Sequence, residues 1–168
     1  MSHTENERKF VVKSNVAQSL IPNPVFSKQI FQFMLFDDGN ICGRVRNIDN
    51  SYILTFKSSS TEQIRDEVEV GIDFRSADKL YQMSCGYILH KTRYNLNEKN
   101  SPTVFLDIFL KELNGLIVAE VEDPPIGYNI PSWFGKEVTG IPEFYTNNLC
   151  SSEETRKSAL QLYKNFTS

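Results

Sequence analysis

Charged side chains recur at every second position along six or more β-prone segments of this 168-residue chain, and nothing else narrows its fold so far. Residues two apart in a strand share a face. Glu5, Glu7 and Lys9 therefore lie together on the first segment, and Arg44 and Arg46 on the third. Arg65, Glu67 and Glu69 alternate through Asp66 and Val68; Lys91 and Arg93 flank Thr92; Glu120 and Glu122 flank Val121. Lys57 closes another such segment, and Asp107 sits among Leu106, Ile108 and Phe109. A single alternating strand is most simply a sheet with one wet face. Here seven acids (5, 7, 67, 69, 107, 120, 122) stand against seven bases (9, 44, 46, 57, 65, 91, 93), and intervening positions such as Val45, Val68 and Val121 are apolar. Unpaired charge is costly to bury, so a balanced set belongs around a ligand. The pattern points to charges lining the inside of a barrel, with the apolar side as core.

The segments rich in Val, Ile, Phe, Tyr and Thr predict strands at 4–12, 28–38, 40–48, 51–58, 64–72, 86–97, 102–110 and 115–122. Asp37-Asp38-Gly39-Asn40, Asp49-Asn50-Ser51 and Leu113-Asn114-Gly115 carry turn chemistry, and short connections make neighbouring strands antiparallel. Three helices are predicted. One at 13–20 is stopped by Pro22 and Pro24, and one at 76–84 opens on Ser76 as its cap. The third, at 152–166, has Ser151 and Glu154 at capping-box spacing and a stripe of Ala159, Leu162, Tyr163 and Phe166. The fold class is thus mainly β, of the α+β kind. It is an eight-stranded antiparallel β-barrel, closed or nearly so, with a few peripheral helices including a C-terminal one. The length favours one domain over residues 1–168, with helix 152–166 packed on the barrel or plugging it.

A net charge of -3 argues against a general nucleic-acid binder. No stretch reaches membrane-spanning length, and the first residues lack the layout of a signal peptide. Cys42, Cys85 and Cys150 are isolated and odd in number, which fits reduced thiols and a cytoplasmic setting. His90 neighbours Lys91 and so faces away from the Lys91/Arg93 side. Trp133, Phe134 and Tyr145 read as packing aromatics, and Lys99, Lys136, Glu153 and Arg156 as solvated surface.

Arginine forks and lysine point charges suit phosphate oxygens, while carboxylates are hard ligands for Mg2+ or Mn2+. A lumen carrying both would hold a polyphosphate and position it for phosphoryl transfer, where catalysis is mostly placement and charge stabilisation. Neither a Walker loop nor a Ser/His/Asp or Cys/His arrangement is recognisable.

The ordered motifs resemble the CYTH, or triphosphate tunnel metalloenzyme, family nearly end to end. The likeness starts with Glu5-Asn6-Glu7-Arg8-Lys9 and runs through Arg44-Val45-Arg46, Leu54-Thr55-Phe56-Lys57 and Arg65-Asp66-Glu67-Val68-Glu69. It continues in Lys91-Thr92-Arg93-Tyr94, the strand Leu116-Ile117-Val118-Ala119-Glu120-Val121-Glu122, Trp133-Phe134-Gly135-Lys136-Glu137-Val138-Thr139-Gly140, and Tyr145-Thr146-Asn147-Asn148-Leu149. The resemblance implies a β tunnel with Glu5, Glu7, Asp107, Glu120 and Glu122 toward divalent metal. It implies triphosphate contacts from Lys9, Arg44, Arg46, Lys57, Arg65, Lys91 and Arg93. Glu67 and Glu69, with Lys9, form the implied catalytic set, the acids serving a second metal, as Asp107 can, or the attacking water. The implied activity is hydrolysis of inorganic tripolyphosphate with Mg2+ or Mn2+ by a monomer or homodimer. Class IV adenylyl cyclase, thiamine triphosphatase and a non-catalytic phosphate-binding barrel are the alternatives. Two departures bear on substrate choice: relatives often show Gln-Gly-Tyr-Leu where this chain has Gln29-Ile30-Phe31-Gln32, and Asp-Glu where it has Asp107-Ile108.

Overall fold

The computed structural model describes residues 7–21, 26–58, 67–84, 86–96 and 102–168. Glu5, Arg65 and Asp66 lie outside the described residues, as do Cys85 and Lys99. Eight strands form one sheet: β1 (Glu7–Val11), β2 (Phe26–Asp37), β3 (Ile41–Ile48), β4 (Ser51–Ser58), β5 (Glu67–Ile72), β6 (Leu89–Asn95), β7 (Thr103–Phe109) and β8 (Ile117–Glu122). Their spatial order is β1-β8-β7-β6-β2-β3-β4-β5, every neighbouring pair antiparallel. The hairpin turns have the expected chemistry. Asp49 and Asn50 take φ of 49° and 71°, the left-handed pair that a two-residue connection requires. At the β2–β3 turn the Asp38 carboxylate accepts from the Asn40 and Ile41 amides, each at 2.8 Å.

The cross-strand register sorts the side chains. Glu7 opposes Glu122 and Lys9 opposes Glu120; Arg93 opposes Asp107; Gln32 opposes Arg46; Thr55 opposes Glu69 and Lys57 opposes Glu67. Directly opposed residues share a face, so the charged set lines one side of the curved sheet. The other side of β1, β8 and β7 carries Phe10, Ala119, Val121, Leu106 and Val104, all buried in the core.

The sheet is tunnel-like and is not closed by hydrogen bonds between β1 and β5. The reason lies at β1, whose outer edge already has a partner. Val11 donates to Lys136 O at 3.0 Å and accepts from the Gly135 amide at 2.9 Å. Lys9 O accepts from Val138 N at 2.8 Å, and the Lys9 amide donates to Thr139 Oγ1 at 2.9 Å. The 135–139 segment thus takes the groups that a closing strand would need.

Among the described residues there are four helices, α1 (Ser14–Leu20), α2 (Phe74–Met83), α3 (Thr146–Leu149) and α4 (Glu153–Thr167), with 3-10 turns at Lys111–Leu113 and Pro142–Phe144. Two caps differ from the sequence reading. α2 begins two residues early because Asp73, not Ser76, is the cap, its carboxylate accepting from the Ser76 amide at 2.8 Å. α4 is capped by Ser152, which accepts from Thr155 N, while the Ser151 hydroxyl donates to Asn148 O at 2.6 Å. Arg156 is not solvated. It is 4% exposed, donates to Leu149 O (2.7 Å) and Ile88 O (2.8 Å), and lies over the Tyr87 ring. α4 packs against the core through Ala159 and Tyr163, whose hydroxyl donates to Val12 O at 2.7 Å.

Candidate active site

A cavity of about 390 Å³ lies on the charged side of the sheet. Bases line it from four strands: Lys9 on β1, Arg44 and Arg46 on β3, Lys57 on β4, and Lys91 and Arg93 on β6. Glu7, Glu120 and Glu122 line it from β1 and β8. The volume sits within the range of small-ligand sites. One mouth is crossed by the segment from Pro142 to Asn148, which brings Tyr145, Thr146 and Asn147 onto the lining. Tyr145 places its ring 5.7 Å from the Lys9 ammonium, and Asn147 donates to Cys42 Sγ on β3 at 3.4 Å. The strap therefore reaches from β1 to β3. No α4 residue is part of the lining.

Many of the charges are held by one another. Lys9 Nζ reaches Glu120 at 2.6 Å and Glu7 at 3.2 Å. Asp107, fully buried on β7, accepts from Lys91 at 2.5 Å and twice from Arg93 at 2.7 Å. Arg93 also reaches Glu120. Glu67 pairs with Arg44 (3.5 Å) and Lys57 (3.2 Å), and Glu69 accepts from Thr55 (3.0 Å) and lies 3.9 Å from Arg46. Asp107, Glu67 and Glu69 are thus counter-ions to the bases, Asp107 fully buried and Glu67 and Glu69 on the same sheet face as Lys57 and Thr55. Among the described residues three buried donors find no acceptor, Gln32 Nε2, Arg44 Nε and Arg46 Nε, all from lining residues.

Among the described residues no three acidic, His or Cys side chains already converge as a metal cluster. The donor chemistry of the lining nevertheless fits a hard cation. Glu7 and Glu122 are directly opposed, with Glu120 two residues along, so oxygen ligands alone gather at one wall. Like charges opposed across strands repel, and a divalent cation between them removes the penalty.

The electrostatics follow from burial and pairing. Burial alone would raise Glu120, but Arg93 and Lys9 overrule it and hold its carboxyl well below the usual range. Burial would lower Lys9, yet Glu120 and Glu7 keep its ammonium above its ordinary value. Burial pushes the Arg46 guanidinium down to about 10, with Arg44 adding repulsion. Lys91 is lowered by burial first and by Arg93 second, against the pull of Asp107. The wall from β3 to β6 is short of negative charge, and an anion would supply it.

Comparison with known proteins agrees with this geometry. No family model matches the chain. An inorganic triphosphatase of Acetivibrio thermocellus is 32% identical over 165 residues, covering 96% of this chain and 97% of the relative. A second, from Nitrosomonas europaea, is 31% identical over 140 residues, covering 81% and 89%. A crystal structure of an inorganic triphosphatase superposes with a TM-score of 0.65 at 30% identity, over 89% of this chain and 96% of that one. The chain belongs to the CYTH, or triphosphate tunnel metalloenzyme, family. A Pyrococcus furiosus protein, 19% identical with a TM-score of 0.55, shares the fold.

Within this CYTH tunnel the sequence reading missed Gln32, Tyr145 and Asn147. Gln32 carried a signal, because its β2 position shares parity with Lys28 and Ile30, residues that face the lumen-side Arg93 and Lys91 in the register. Tyr145 and Asn147 were marked only by the 145–149 motif, since nothing in that short segment says which side meets the cavity until it docks. Tyr145, read as a packing aromatic, lines the cavity, whereas Trp133 and Phe134 pack as expected, with Phe134 4.7 Å from the Phe10 ring. His90 lies on the outer face, edge-on to Phe31 at 4.9 Å.

Proposed function

We propose that this protein is a triphosphatase that hydrolyses inorganic tripolyphosphate, using Mg2+ or Mn2+. The observation that carries the reading is one cavity lined together by Lys9, Arg44, Arg46, Lys57, Lys91 and Arg93 and by Glu7, Glu120 and Glu122. The triphosphatase relatives support the same chemistry. The guanidiniums and ammoniums bind phosphate oxygens and stabilise the charge that moves to the leaving group. Arg65, outside the described residues, belongs to the same set. Water attacks a terminal phosphorus, the bridging P–O bond breaks, and pyrophosphate leaves beside orthophosphate.

Glu7, Glu120 and Glu122 would hold the cation, with Glu5 completing the set. Bound there, it neutralises phosphate charge and acts as a Lewis acid. Asp107 orients Lys91 and Arg93, and Glu67 and Glu69 pair with Arg44, Lys57 and Arg46 on the same face, from which these acids would serve a second metal or the attacking water. Lys9 stays in contact with both carboxylates and substrate, the one residue of the proposed catalytic trio that lines the cavity. The protein's acids must be ionised and its water easily deprotonated, so the pH optimum is alkaline; an optimum near pH 5 would contradict the mechanism.

Phosphorus NMR of the protein with tripolyphosphate, and separately ATP, each with Mg2+, Mn2+ or EDTA, tests the reading. Metal-dependent orthophosphate from tripolyphosphate is expected. Cyclic AMP and pyrophosphate from ATP would replace the hydrolase with a cyclase. The double substitution Glu5→Gln and Glu7→Gln should abolish turnover and spare metal-free phosphate binding; unchanged turnover would sink the assignment of those acids.

A further inference from the structure

Among the described residues, Gln32 is the one uncharged residue of the lining with a buried hydrogen-bond donor that finds no acceptor. It is 2% exposed, lies on β2 directly opposite Arg46 of β3 and Leu89 of β6, and lines the cavity. Its Nε2 finds no acceptor, and neither do the Nε atoms of Arg44 and Arg46 beside it. Folded proteins seldom leave a buried N–H unpaired, because its desolvation is then uncompensated. An apolar side chain of the same length would fill this place without that cost. Its backbone pairs with β3 and β6 and accepts from Cys150 Sγ at 3.9 Å. The amide side chain therefore has no structural task that accounts for its donor.

Three unpartnered N–H groups on adjacent strands ask for one kind of ligand, a group rich in acceptor oxygens that carries no proton there. We propose that Gln32 is a substrate-binding residue whose carboxamide N–H donates to a phosphate oxygen of the bound triphosphate alongside Arg44 and Arg46. This rests on the triphosphatase reading above. A neutral donor suits the position. Arg46 is already repelled by Arg44, and a further cation beside it would raise that repulsion. The amide adds a hydrogen bond to the anion with no added charge.

The test uses Gln32→Met, which keeps length and removes the donor, and Gln32→Glu, which turns the donor into an anion facing Arg46. Tripolyphosphate binding is measured by titration calorimetry in EDTA, turnover with Mg2+, and thermal unfolding without ligand. For Gln32→Met, Kd and KM should rise roughly tenfold or more, the equivalent of one hydrogen bond to an anionic oxygen, with the melting temperature unchanged or higher. Gln32→Glu should weaken binding further while raising the melting temperature through a pair with Arg46. Binding within twofold of wild type in either variant overturns the proposal, as does a melting temperature that falls while binding stays intact. Wild-type protein that turns over tripolyphosphate while Gln32→Met matches it defeats the Gln32 assignment alone. Wild-type protein that neither binds nor hydrolyses it defeats the triphosphatase reading and this inference together.

Discussion

Glu120 is the residue on which the β1–β8 wall turns, since it accepts from both Lys9 and Arg93 in a buried setting. Replacing it by Gln leaves two buried cations short of a partner. A loss of about 3–5 kcal/mol is expected, measured by urea unfolding at pH 7. The pH dependence has a definite sign. The Glu120 pKa falls on folding from its ordinary 4.5, so its contribution is complete above that value and drains as the pH drops through the folded pKa. Lys9 runs the other way: its pKa rises above 10.5, and its contribution is lost only as the pH climbs past that raised value. The stability gap between wild type and Glu120→Gln should be level across neutral pH and close on acidification. A gap that widens toward pH 3 would refute the pairing. That Arg44 shares a face with Arg46, and Lys91 with Arg93, was legible from period 2 alone. That Asp107 serves Lys91 and Arg93 was not, because it depends on the β6–β7 register.

At the level of elements, the strap from Pro142 to Asn148 and the 135–139 segment shape the tunnel more than α1, α2 or α4 does. Arg156 ties the strap down by holding Leu149 O. Arg156→Ala should cost about 3 kcal/mol through two lost charge-assisted bonds. It should also speed amide exchange at 146–149 and lower kcat/KM, because Tyr145 and Asn147 lose their fixed place. Unaltered exchange there would show that the strap is held by other contacts. Gly135 has a different constraint. A Cβ at this position would lie 2.7 Å from Val11 O, a backbone atom that cannot rotate aside. Gly135→Ala should therefore destabilise by about 2 kcal/mol and loosen the edge cover on β1, visible as a lower denaturation midpoint. The sequence suggested Arg156 was solvated because an isolated arginine on an amphipathic helix usually is. Only the helix's docking against Leu149 and Ile88 reversed that.

For the whole molecule, the cavity gathers six bases in its lining while the chain carries a net charge of -3. Local field, not overall charge, governs what enters. A bound triphosphate relieves the repulsion among Arg44, Arg46 and Lys91. At a hundredfold excess over Kd, tripolyphosphate should raise the melting temperature by roughly 5–10 °C, read by calorimetry in EDTA to exclude turnover. No shift would mean that the bases do not face a common anion.

The amino-acid pattern alone determined that this chain makes eight antiparallel strands and which residues share a face, because side-chain alternation follows from local backbone geometry. It also determined that this face is both basic and acidic, the character on which the proposed phosphate and metal binding rests. Tertiary structure decided which acids pair with which bases, that the 135–139 segment, not β5, occupies the outer edge of β1, and that Gln32, Tyr145 and Asn147 belong to the cavity. Those facts depend on strand register and loop docking, where residues far apart in sequence meet, and no local period encodes such meetings.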